Sequence, residues 1–224
     1  MNKQVLAARP EHETVVLVTG FGAFPGAPKN PTQSLMKALA PHEGRLARLG
    51  IRLERRVLPV VYGEIGPKLK ALMAELAPDA VLHFGLASRR KAINIETRAV
   101  NRLTMLHPDA TGRRSDQRQV LPGSSYVRSS KLPTRGWDSS LRRAGFTSVV
   151  SIDAGDYVCN QTFYLSLAMA EGTHRQVGFI HVPKCPVSTL TPIALHLILA
   201  LIPRLRRKVS TFTEVTKSDS RFLS

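Results

Sequence analysis

Residues 147–182 constrain the fold more than any other part of this chain. "TSVVSI" (147–152) is a short β-branched run, and apolar residues at helical spacing begin near Val158. "QVGFIHV" (176–182) is again strand-like. A strand, a helix and a strand in that order form a crossover unit. If both strands join one sheet they are expected to run parallel, through a right-handed connection, with both carboxyl ends on the same edge. Cys159 follows the first strand and His181 closes the second, so 22 residues of separation collapse to one sheet edge. Open α/β sheets build their sites there.

The rest of the chain repeats the alternation. "TVVLVTG" (14–20) suits a buried parallel strand. "NPTQSLMKALA" offers Asn30 as a helix N-cap and Pro31 in the first turn. "IRLERRVLPV" (51–60) reads as a strand, "PKLKALMAELAP" (67–78) as an amphipathic helix stopped by Pro78, and "DAVLHFG" (79–85) as a buried strand. "INIETRAVN" (93–101) alternates apolar and polar residues. Residues 107–133 are rich in Pro, Gly, Ser and Arg, and a hairpin around "QVLPGSSYVRSS" is one way to order them. "WDSSLRRAG" (137–145) is helical with Gly145 as its C-cap, and a last helix spans about Thr191 to Arg207. The expected architecture is a single-domain three-layer α/β sandwich: a mostly parallel twisted sheet with helices on both faces. Its expected span is 14–207, after a polar segment 1–13 and before a loose tail 208–224.

Composition narrows the setting. With 224 residues, 43% of them hydrophobic, one sizeable core is affordable. Two cysteines make no disulfide framework, and the polar start "MNKQVLAARPEHET" lacks a secretory apolar core, so a reducing cytoplasm is expected. "IALHLILALI" is shorter than a membrane span and reads as a half-buried helix, so no membrane partner is expected. The net charge of +16 attracts polyanions. Its arginines are scattered and aromatics for base stacking are few, so a solvated basic surface is preferred over nucleic-acid binding.

Cys159 has two readings, a small buried hydrophobe or a nucleophile activated by a helix N-terminus and an imidazole. His181 is either a core histidine or the base that takes the thiol proton. A third residue should orient that imidazole. Glu96 shares a strand face with Asn94, opposite Ile93 and Ile95, although spacing alone favours a solvated carboxylate. "GFGAFPG" misses the dinucleotide-loop spacing, and Cys159, His181 and Cys185 lack zinc-site spacing, so neither cofactor nor metal is expected.

Six ordered blocks resemble the pyrrolidone-carboxylate peptidase (pyroglutamyl peptidase I) family of cysteine exopeptidases. They are "VLVTGFGAFPGAPKNP", "LPVVYGE", "PDAVLHFGLA", "INIETRAVN", "AGDYVCN" and "GFIHVP", covering residues from about 15 to 200. The resemblance implies a triad of Cys159, His181 and Glu96 that removes an N-terminal pyroglutamyl residue from peptides through an acyl-enzyme. It implies an apolar pocket formed by Phe21, Phe24, Tyr157 and Val158, and a homodimer or homotetramer. The alternative within the family is a divergent member with a shifted substrate or weak catalysis that binds modified peptides. Three segments and one further position depart from the pattern, among them "ETRAVN", with Thr97 directly after Glu96. "GLASRR" replaces two glycines by Ser88 and Arg89, and "SIDAGD" adds Asp153 and Asp156 beside the thiol. Leu106 stands where the pattern has an arginine. The added carboxylates are expected to raise the thiol pKa unless paired or turned away, with Arg89 or Arg90 as compensating cations.

Overall fold

The computed structural model describes residues 13–219, so residues 1–12 and 220–224 of the two expected terminal segments lie outside the described residues. Six strands form the main sheet: β1 (Thr14–Phe21), β2 (Ile51–Leu58), β3 (Ala80–Leu86), β4 (Ile93–Glu96), β7 (Ser148–Ser151) and β8 (Gln176–Val182). Their order is β2-β1-β3-β8-β4-β7. β5 (Arg98–Val100) and β6 (Val127–Ser129) pair antiparallel in a separate ribbon. The helices are α1 (Pro31–Ala38), α2 (Glu43–Ala47), α3 (Tyr62–Leu76), α4 (Thr134–Arg143), α5 (Val158–Met169) and α6 (Val187–Asp219).

The apolar pattern of each strand decides which helices cover it. On β1, Val16 and Val18 join the core layer of α1, α4 and α6, whereas Leu17 and Phe21 join the layer of α3 and α5. Ile93 and Ile95 face the first layer, which leaves Asn94 and Glu96 on the α5 side. The backbone register then lays two rows across that side. Thr19, His83, Phe179 and Glu96 are successive partners on β1, β3, β8 and β4. One step toward the strand ends, Gly85, His181 and Asn94 form the next row.

Strand direction differs from the sequence expectation. β2, β1, β3 and β8 are parallel, but β4 pairs antiparallel with β8 and parallel with β7. β7 therefore opposes β8, and the 147–182 unit is not a parallel crossover. β7 ends level with Phe179 in mid-sheet, because Ser151 partners Glu96 and Glu96 partners Phe179. The loop 152–157 carries the chain back to the strand ends before α5 begins.

Other boundaries moved for local reasons. Asn30 caps α1 as expected, its Oδ1 accepting from Thr32 N at 3.1 Å, with Pro31 at the first position. Gly20 makes this seat possible, since a Cβ there would stand 2.2 Å from the Thr32 carbonyl oxygen. α3 starts at Tyr62 and holds Pro67 inside it; its stop is Ala77 in the left-handed region, just before Pro78. The strand expected over 93–101 splits at Thr97, whose N–H and hydroxyl both donate to the Ser151 carbonyl at the end of β7. No local hairpin forms in 107–133: β6 pairs with β5 instead, so its partner lies far upstream. α6 begins four residues earlier than expected and its backbone stays helical through 208–219, where the sequence suggests a loose tail. Its stretch Val187–Leu205 is long and apolar enough to cross a membrane by length and composition, and Leu190, Ile193, Ala194, Leu197, Ile198 and Leu201 all pack into the core.

Candidate active site

Cys159 is the second residue of α5, whose N-terminal turn opens over the carboxyl ends of β3 and β8. Its Sγ lies 2.9 Å from where a Cβ on Gly85 would stand, and Gly85 is the register partner of His181. Neighbouring strands run about 4.8 Å apart. The thiol thus sits above the residue directly beside His181, brought there by the 152–157 loop rather than by parallel strands. His181 Nδ1 is 2.8 Å from Glu96 Oε1, and both side chains are buried, at 5% and 0% exposure. The solvated carboxylate that spacing favours is overturned: β8 and β7 flank β4 on both sides, which encloses Glu96.

The same Oε1 accepts a second bond, from Arg90 Nη1 at 2.6 Å. Arg90 continues to the Asp153 carbonyl through Nη2 at 2.5 Å, which ties the loop after β3 to the loop after β7. Of the two candidate compensating cations, Arg90 is the one engaged, and Arg89 is exposed. Glu96 Oε2 is buried without a hydrogen-bond partner.

The electrostatics of the thiol follow from this enclosure. Burial is the main cause that pushes Cys159 up to about 12; the Glu96 carboxylate adds to it and Arg90 partly offsets it. The two added aspartates are turned to other work. Asp153 Oδ1 accepts from Gly155 N at 2.9 Å within its own turn, and Asp156 pairs with Arg102 at 3.6 Å. Glu96, not Asp153 or Asp156, is the carboxylate that acts on the thiol.

The four expected pocket residues separate into two pairs. Phe21 and Val158 are 2% and 1% exposed and belong to the core beneath the site. Phe24 and Tyr157 are half-buried, with ring centroids 6.1 Å apart. Tyr62 stands edge-on to Tyr157 at 5.5 Å and extends the aromatic wall, a member the sequence reading missed. Both phenols strap down the 101–109 loop: Tyr62 donates to the His107 carbonyl at 3.0 Å and Tyr157 to the Pro108 carbonyl at 2.8 Å. Leu106, in that loop, is 75% exposed. Asn160 was also missed. Buried beside the thiol, it accepts from Val100 N and donates to the Val100 and Arg102 carbonyls, which fastens the start of α5 to β5. The only signal was an amide directly after the cysteine.

A family model described as pyroglutamyl peptidase matches residues 14–198. The chain belongs to the pyroglutamyl peptidase family. It is 37% identical over 181 residues to a pyrrolidone-carboxylate peptidase of Pyrococcus furiosus, covering 80% of this chain and 85% of that protein. A Pseudomonas fluorescens protein of the same name is 34% identical, with 77% and 79% covered. Among solved structures, the pyrrolidone carboxyl peptidase of Pyrococcus furiosus superposes with a TM-score of 0.79 at 31% identity, covering 86% of this chain and all of that one. Pyroglutamyl peptidase I of Bacillus amyloliquefaciens gives 0.74 at 25% identity, covering 82% and 94%.

In this pyroglutamyl peptidase family member, Gly85 is as informative as the polar groups. A Cβ there would stand 2.8 Å from Phe179 Cζ and 2.9 Å from Cys159 Sγ, so Gly85→Ala must push both of them away. Overpacking of this kind costs about 1–3 kcal/mol. The variant is expected to melt several degrees lower and to alkylate more slowly at Cys159 with iodoacetamide. A wild-type alkylation rate would show that the thiol is not seated over Gly85.

Proposed function

We propose that this protein is a thiol exopeptidase that removes the N-terminal pyroglutamyl residue from peptides, with Cys159 as nucleophile, His181 as proton carrier and Glu96 as the group that orients the imidazole. The observation that carries this reading is the Cys159 thiol over Gly85, the register partner of a His181 whose Nδ1 is already bound to Glu96.

The chemistry proceeds in two halves. As Sγ attacks the pyroglutamyl carbonyl carbon, its proton passes to Nε2 of His181, because Nδ1 is occupied by Glu96. The N–H groups in the first turn of α5, which no side chain caps, are the donors offered to the developing oxyanion. Collapse of the tetrahedral intermediate breaks the amide C–N bond, and the imidazolium returns its proton to the departing amine. A thioester remains. Water then gives a proton to His181 while its oxygen attacks the same carbon, and thiolate leaves to be reprotonated. Burial and the Glu96 carboxylate both hold the resting thiol toward its neutral form, so in this reading its proton leaves as the attack begins.

Specificity follows from charge. The lactam is flat and has no ammonium, so an aromatic wall of Phe24, Tyr157 and Tyr62 takes it without desolvating a cation. The reading also takes over from the resemblance a homodimeric or homotetrameric assembly and a cytoplasmic setting. The test is chromophore release from a pyroglutamyl-coupled amide by folded, reduced protein, against a prolyl-coupled amide that differs by carrying an ammonium. Release from the first alone is expected. Silence on the first overturns the reading and favours a shifted substrate.

A further inference from the structure

His83 is a fully buried histidine that the proposed reaction does not use. Its ring lies in the same cross-strand row as Glu96, one row below Gly85 and His181, and touches hydroxyls on two other elements: Thr19 Oγ1 at 2.7 Å from Nδ1, and Ser166 Oγ at 2.9 Å from Nε2. All three residues are 0% exposed. Burial drives the imidazole pKa down to about 3, so the ring is neutral, with one donor and one acceptor nitrogen. Both are spoken for, and the chain hydroxyl–imidazole–hydroxyl runs without a gap from β1 through β3 to α5.

The two ends of this chain matter for different reasons. Ser166 follows Cys159 by seven residues, two turns of α5, so both project from the same face of that helix. A bond that holds Ser166 to the sheet therefore sets the rotation and height at which Cys159 meets Gly85. On its other flank the His83 ring packs against Phe179, its register partner, with centroids 5.9 Å apart. Phe179 in turn lies 4.8 Å from the His181 ring, and its edge reaches Gly85 beside the thiol.

We propose that His83 is a positioning residue for the site, holding the nucleophile helix through Ser166 and the imidazole strand through Phe179 so that Cys159 and His181 stay in register. The inference rests on the thiol-peptidase reading for its kinetic readout. A packing role is the competitor: a buried ring fills space whatever its nitrogens bond. Two changes at Thr19 separate the possibilities. Thr19→Val keeps the shape and deletes the hydroxyl; Thr19→Ser keeps the hydroxyl and deletes a methyl. Ser166→Ala cuts the other end.

The experiment measures kcat, KM and the iodoacetamide rate of Cys159 in a Cys185→Ser background, at a temperature where each variant is folded. Displacements of about 1 Å cost up to about a hundredfold in rate. Thr19→Val and Ser166→Ala are expected to lower kcat roughly tenfold with KM within about twofold, and to change the alkylation rate in step, while Thr19→Ser behaves as wild type. If Ser166→Ala does not fold, the Thr19 pair decides alone. Wild-type kcat and alkylation in Thr19→Val, or equal losses in Thr19→Ser and Thr19→Val, overturn the proposal. Wild-type silence on the pyroglutamyl amide, with alkylation still following the hydroxyls, sinks the peptidase reading and leaves the positioning role standing.

Discussion

Cys159→Ala is expected to reduce chromophore release from a pyroglutamyl amide by roughly 10⁴-fold or more, the scale seen when an acyl-enzyme nucleophile is deleted. In the proposed path every later step depends on the thioester, so no other group can take over part of it. Cys185, the other thiol in the chain, is half-buried against the core layer of α6, on the opposite side of the sheet from α5. It is therefore no substitute, and Cys185→Ala is expected to retain wild-type activity. The fold should tolerate the loss at Cys159. Alanine removes one sulfur from a half-buried position that Gly85 leaves open, a change on the order of 1 kcal/mol. Steady-state kinetics and thermal melts of both variants check this. Activity above about a hundredth of wild type in Cys159→Ala would reassign the nucleophile.

That cysteine was legible because its signals are local: a β-branched run, then a helix start, with the thiol in the first turn. The same holds for Asn30 and Pro31 at α1, for β1 and for β8, whose apolar patterns are settled by neighbours within a few residues. Strand direction is a different matter. Nothing in "INIE" or "SVVS" says which way the strand runs, because alternation looks the same from either end; the direction of β4 is set by pairing with β8, more than eighty residues away, and that of β7 by pairing with β4. The error still left Cys159 and His181 together, since the 152–157 loop undoes what the reversed strand would have done. Burial of Glu96 was hidden for a related reason. A carboxylate on an alternating strand looks solvated until both neighbouring strands and Arg90 are in place. The 101–126 segment was opaque because its order comes from side chains reaching backbone groups far along the chain, as when Asn101 binds Leu121 N and the Leu121 and Ser124 carbonyls.

Glu96→Gln is expected to lower peptide cleavage by up to about 10⁴-fold, the loss found when an imidazole loses the carboxylate that sets its tautomer. A single oxygen, Oε1, serves both Arg90 and His181, and Oε2 has no partner. Glutamine keeps the shape but removes the charge that steadies the imidazolium, and it leaves Arg90 beside a neutral amide. The thiol should respond in the opposite direction. Glu96 is an anion that disfavours the Cys159 thiolate, so deleting its charge lowers the thiol pKa and raises the thiolate fraction. Iodoacetamide at about pH 8 should then alkylate Cys159 faster in Glu96→Gln than in wild type, while cleavage collapses. Arg90→Met has the reverse sign, because the cation favours the thiolate and its loss slows alkylation. The pair matters because unfolding also exposes a thiol and speeds its reaction. A faster rate in Glu96→Gln alone could be mistaken for that; a slower rate in Arg90→Met could not. If Glu96→Gln keeps more than about a tenth of wild-type cleavage, the imidazole does not depend on this carboxylate. If both variants alkylate faster, the carboxylate and guanidinium hold the loops after β3 and β7 together rather than tune the thiol.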